Sequence, residues 1–140
     1  MNIITKLAVI LILSLTTLML NAQDGFSLTV NIEEASSNDG KMFIAVYDSE
    51  TAFLEKTFMG TTSAIENNRC TVTFKDIPEG IYAVSIFHDE NDNGKMDSNF
   101  IGIPKEDYGC SNGAKGFMGP PKWEDAKFEI KENKSITITL

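Results

Sequence analysis

Between residues 88 and 97 the chain reads His88-Asp89-Glu90-Asn91-Asp92-Asn93-Gly94-Lys95-Met96-Asp97, and its side chains converge on one chemistry. Counted from Asp89, oxygen donors fall at relative positions 1, 3 and 5, a glycine at 6 and a carboxylate at 9. That is most of a calcium-loop pattern. A hard cation takes about six to eight oxygens, and alternate side chains of a tightly turning loop can point inward to supply them. Asp89, Asn91, Asn93 and Asp97, with the Lys95 backbone carbonyl, are the candidate metal ligands, and calcium is the metal they suit. Phe100 stands at position 12, where the pattern wants a bidentate glutamate, so a further carboxylate must come from Glu106, Asp107 or Asp125. Such a site would be weak, with a Kd of about 10⁻⁴–10⁻³ M. The competing reading is a turn whose Asn and Asp side chains bond their own backbone.

His88 is the single histidine. A small metal-dependent hydrolase could use it with Asp89, but neighbours along a strand point to opposite faces. The plainer role is a ring that donates to a backbone carbonyl and orders the loop. Ser111 lies near Asn112 in a Gly-rich stretch without a strand-turn-helix context or a second histidine, so it does not read as a nucleophile.

The elements that must hold this loop are strands. Phe26-Ser27-Leu28-Thr29-Val30-Asn31-Ile32-Glu33 alternates apolar and polar throughout, the mark of a strand with one face on a core. Met42 to Tyr47 and Ile81 to Phe87 are apolar on both parities, as central strands are, and the second runs straight into Asp89. Ala64-Ile65, then Asn67-Asn68, then Cys70, Val72 and Phe74 read as a hairpin, and Asp76-Ile77-Pro78-Glu79-Gly80 as a turn. Residues 48–58 are expected to form a loop or short helical turn that tucks Phe53, Leu54 and Phe58 against the core. Two more alternating runs, through Phe128 and through Ile138, close the chain. About seven strands without a long helix predict an all-β fold, an antiparallel β-sandwich of immunoglobulin-like or prealbumin-like type.

One long Gly/Pro-rich loop, residues 98–122, interrupts this pattern. Loops of that length are usually functional or disordered, and Phe100, Ile101, Ile103, Tyr108, Phe117 and Met118 give this one apolar groups to bury. Tyr108, Phe117 and Trp123 could form a binding platform for a glycan or protein, with Trp123 half exposed. They could equally be the core of a self-packed loop.

Lys6 followed by the apolar run Leu7 to Leu20 and by Ala22 reads as a signal peptide over residues 1–22, leaving residues 23–140 as one exported β-sandwich domain, periplasmic or secreted. After its removal no membrane span is expected. The formal net charge of −8 argues against nucleic acid as a partner and suits cations. Two cysteines, Cys70 and Cys110, could pair in an oxidising compartment, or Cys70 could be a small buried hydrophobe.

The run Asp76-Ile77-Pro78-Glu79-Gly80-Ile81-Tyr82 through His88-Asp89-Glu90-Asn91, then Asn93-Gly94-Lys95-Met96-Asp97-Ser98-Asn99-Phe100-Ile101-Gly102-Ile103-Pro104, resembles the bacterial family called domain of unknown function 2141. Tyr108-Gly109, Gly116-Phe117, Gly119-Pro120-Pro121 and Glu124-Asp125-Ala126 continue the likeness. The resemblance implies a small exported domain and assigns no activity. A Pro-x-Gly-x-Tyr turn before a strand is more distantly similar to transthyretin-like and carboxypeptidase-regulatory-like sandwiches, which bears on fold alone.

The sequence thus predicts an exported non-enzymatic module. In it, a calcium loop orders a neighbouring surface for a cell-envelope protein or glycan. The small hydrolase is the alternative, with a purely structural domain without metal as the third reading.

Overall fold

The computed structural model describes residues 2–10 and 25–140. The cut expected after Ala22 lies outside the described residues, and of the expected leader only residues 2–10 are described, with 3–10 helical and exposed. Among the described residues no helix is long and apolar enough to cross a membrane.

The chain is mainly β. Its strands are β1 (Phe26–Glu33), β2 (Lys41–Tyr47), β3 (Met59–Ser63), β4 (Cys70–Ile77), β5 (Gly80–Asp89), β6 (Tyr108–Cys110), β7 (Phe128–Ile130) and β8 (Lys134–Thr139). One sheet has the order β4-β1-β8 and the other β3-β2-β5-β6, with β7 paired to the start of β5. Leu28, Val30 and Ile32 from the first sheet meet Met42, Ile44, Val46, Val84 and Ile86 from the second in one buried core. Each such side chain contributes about 1.5–3 kcal/mol by leaving water, so this layer is the main stabilising contact.

The two strands that are apolar on both faces, β2 and β5, do sit inside their sheet. The reason is visible on the outer side of that sheet, where a second cluster of Tyr47, Phe53, Ala83, Cys110, Ala114, Trp123 and Ala126 covers part of the face. The cleanly alternating β1 is also central, between β4 and β8, because its sheet is covered on the core side only. Its outward Thr29 and Asn31 meet Thr73, Thr71 and Ser135 in a row of hydroxyl and amide hydrogen bonds.

Four expectations need correction. The fold is not wholly antiparallel, since β8 runs parallel to β1, with Val30 opposite Ile136. Residues 64–74 are no hairpin: only Glu66 and Arg69 pair across the turn, and β3 and β4 belong to different sheets. The turn itself is as read, with Asn67 and Asn68 at φ 52° and 61°, but it carries the chain from one layer to the other. Cys70 and Cys110 are both free. Cys70 pairs with Ile32 in one sheet and Cys110 with Ser85 in the other, which separates them by a layer. Lastly, in the 48–58 stretch Phe53 is buried, whereas Leu54 and Phe58 remain exposed, Phe58 resting against the Tyr82 ring at 5.7 Å.

Candidate metal centre

Asp89 is the last residue of β5, and the position fixes it. Its backbone pairs with Lys41 of β2, and its side chain is fully buried. The carboxylate accepts the backbone N–H of Asn93 at 3.1 Å with Oδ1 and that of Gly94 at 2.8 Å with Oδ2. Those two bonds curl the loop back over the strand end. Gly94 takes φ 79°, a left-handed angle that a residue with a Cβ resists, and so permits the turn at that point.

The other candidate ligands close on one another. Asn91 Oδ1 accepts the Asn93 N–H at 3.3 Å, and Asn93 Oδ1 accepts the Lys95 N–H at 3.1 Å. Both side-chain amides donate Nδ2–H to the Asp97 carboxylate, Asn93 at 2.8 and 2.9 Å. These donors, with Lys95 and Lys105 further off, hold the Asp97 carboxyl below the ordinary aspartate range. As the side chains lie, no three His, Cys, Asp or Glu groups share a point among the described residues.

Of the three carboxylates considered for the missing ligand, one joins the loop. Glu106 Oε2 accepts the Asp97 backbone N–H at 3.0 Å, and Asn91, Asp97 and Glu106 line one cavity. Glu106 Oε1 is buried with no hydrogen-bond partner. A buried carboxylate oxygen without a donor is costly, and a cation would satisfy it. Asp125 sits instead in the short helix Trp123–Ala126, whose Trp123 and Ala126 are buried in the outer cluster. Asp107 is exposed and gives its backbone carbonyl to the His88 N–H at 2.9 Å.

His88 is buried on the core side of β5, opposite Met42. Its Nε2 donates to the Asp39 carbonyl at 2.7 Å, tying the β1–β2 turn to the root of the loop. Nδ1 is 3.6 Å from Glu90 Oε1, which also accepts the Ser36 hydroxyl. The ring is thus an anchor behind the loop, facing away from Asp89. Ser111 is likewise buried: its Oγ donates to the Ala126 carbonyl at 2.6 Å and accepts the Val84 N–H at 3.0 Å.

The long loop departs from what its apolar residues suggest. Ser98 and Pro104 pair across a narrow neck, the Asn99 side chain accepts the N–H groups of Ile101 and Ile103 at 3.0 Å each, and Lys105 N–H bonds the Asp97 carbonyl at 2.8 Å. This small hairpin lifts Phe100 and Ile101 out, 99% and 65% exposed. Phe117 and Met118 are exposed to 91% and 95% on a second turn. Tyr108, Phe117 and Trp123 form no common platform: Tyr108 is half exposed on β6, whereas Trp123, expected half exposed, is buried with its ring edge-on to Phe53 at 5.8 Å. Spacing in the sequence carried no sign of that difference.

Residues 30–139 match the family described as "Uncharacterized protein conserved in bacteria (DUF2141)", and the chain belongs to that family. No curated protein and no solved structure matches it.

Proposed function

We propose that this member of the DUF2141 family is an exported, non-enzymatic β-sandwich module of immunoglobulin-like or prealbumin-like type that binds calcium in the Asp89–Asp97 loop. The observation that carries the reading is the buried, unpartnered Oε1 of Glu106 beside Asp97 and Asn91. Asp89, Asn91, Asn93, Asp97, Glu106 and the Lys95 carbonyl make an all-oxygen set, which fits a hard cation and not a thiolate- or imidazole-seeking metal. The Asn91 and Asn93 amides offer nitrogen to the Asp97 carboxylate. Turning each amide by half a turn would offer oxygen in its place.

The gain from binding is order. Asp97 and Glu106 are the two ends of the hairpin that carries Phe100 and Ile101, so an ion holding both would stiffen its base. The presented surface would meet a cell-envelope protein or glycan. The hydrolase reading lacks a presentable base, since His88 is enclosed and turned to the core.

Calcium titration followed by NMR tests this directly: the side-chain amide signals of Asn91 and Asn93 should move together. Signals that stay in place at millimolar calcium would remove the metal and leave a structural turn.

A further inference from the structure

The outer face of the β3-β2-β5-β6 sheet is only partly covered. Next to the buried Tyr47 and Trp123 cluster lies an open groove of about 470 Å³. Its floor is a row of small residues in register, Gly60, Ala45 and Ser85. Along one side, Phe43 and Phe87 face each other across β2 and β5 with ring centroids 4.7 Å apart and planes 13° apart. Thr62 stands in register beside Phe43. Tyr47 bounds the other side, its hydroxyl 3.1 Å from the Ser85 hydroxyl.

Two features restrict what this groove can take. None of its lining residues is charged, although 23% of the chain is, and five of the ten carry hydroxyls: Tyr47, Thr57, Thr61, Thr62 and Ser85. An ionic ligand would find no counter-charge. The two strands that carry Ala45 and Ser85 are also paired along both edges, β2 between β3 and β5, and β5 between β2 and β6, and the open edge on this side belongs to β3, which carries Gly60. A peptide laid over β2 and β5 could not add a strand to them, and its backbone would lose water there without gaining partners. A neutral sugar has neither difficulty. Its C–H face can pack on aromatic rings, and its hydroxyls can exchange hydrogen bonds with Ser, Thr and Tyr hydroxyls, each of which both donates and accepts.

We infer that this groove is a binding site for an uncharged glycan, recognised by the Phe43–Phe87 pair and the hydroxyls of Tyr47, Ser85 and Thr62. The site is independent of the calcium loop and should work in EDTA as in calcium. The test uses the purified protein with cellohexaose, laminarihexaose and chitohexaose at millimolar concentration, and a hyaluronan hexasaccharide as the charged control, read by NMR. At least one neutral oligosaccharide should shift Phe43, Ser85 and Tyr47, and the charged one should not. Phe43→Ala should weaken binding about tenfold. Because that variant removes a packed ring, Thr62→Lys serves as its partner: Thr62 is exposed, and a lysine there should block the groove without unfolding the chain. No shift with any neutral oligosaccharide, a shift that Thr62→Lys leaves intact, or concentration-dependent dimerisation through Phe43 would each overturn the inference.

Discussion

Asp97 donates its backbone N–H to Glu106 Oε2 at 3.0 Å, while the second oxygen of the same carboxylate lies buried and unpartnered. The neck of the exposed hairpin is therefore closed by a group with spare coordinating capacity. Glu106→Gln keeps an acceptor for the Asp97 N–H but removes the charge. It should fold as the parent does and lower calcium affinity about tenfold or more, measured by calorimetric titration. Unchanged affinity would exclude Glu106 as a ligand.

Asp97 should titrate low. Hydrogen bonds from Asn91 and then Asn93 depress its carboxyl from the ordinary 3.8. A depressed native value means that its contribution is present above 3.8 and lost as pH falls through the native value, below 3.8. NMR of the Asp97 carboxyl should give a midpoint below 3.8, with the Asn91 and Asn93 amides moving in step. A midpoint at or above that value would mean the amides do not hold the carboxylate.

Burial pushes the Cys110 thiol up to about 11. Cys110 is 2% exposed, so thiol reagents near neutral pH should modify Cys70 first and Cys110 only on unfolding. The mass of the intact protein should show two free thiols. A loss of two hydrogens would restore the Cys70–Cys110 bridge and contradict the placement of the two residues in separate sheets.

Ser111→Ala should cost about 1–3 kcal/mol, because the buried Val84 N–H and Ala126 carbonyl would both lose their partner. Urea unfolding measures it. The calcium response should not change, which separates this structural hydroxyl from the loop.

The sequence was readable where a pattern had one physical cause. Alternation over Phe26–Glu33 marked a one-sided strand, and the double-faced runs of β2 and β5 marked strands with cover on both sides. The candidate loop residues could be named because their spacing is local, and Asp89, Asn91, Asn93 and Asp97 are joined by hydrogen bonds within the loop. Partnership across layers was not local. A left-handed Asn67-Asn68 turn looks the same whether it returns to the same sheet or crosses to the other, so β4 was assigned to the wrong neighbour. Nor does parity distinguish Trp123, which fills the outer cluster, from Phe100, which an Asn99-braced hairpin holds in solvent. That Glu106, and neither Asp107 nor Asp125, lies against Asp97 likewise required the fold.

Thermal unfolding of the protein in EDTA and then in excess calcium, magnesium or zinc bears most directly on the central claim. A ligand that binds only the folded form adds RT ln(1 + [L]/Kd), about 1–2 kcal/mol at tenfold excess. Calcium alone should raise stability by that amount, and Asp97→Asn should abolish the rise. No rise with any cation, or an equal rise in Asp97→Asn, would contradict a calcium site in the Asp89–Asp97 loop.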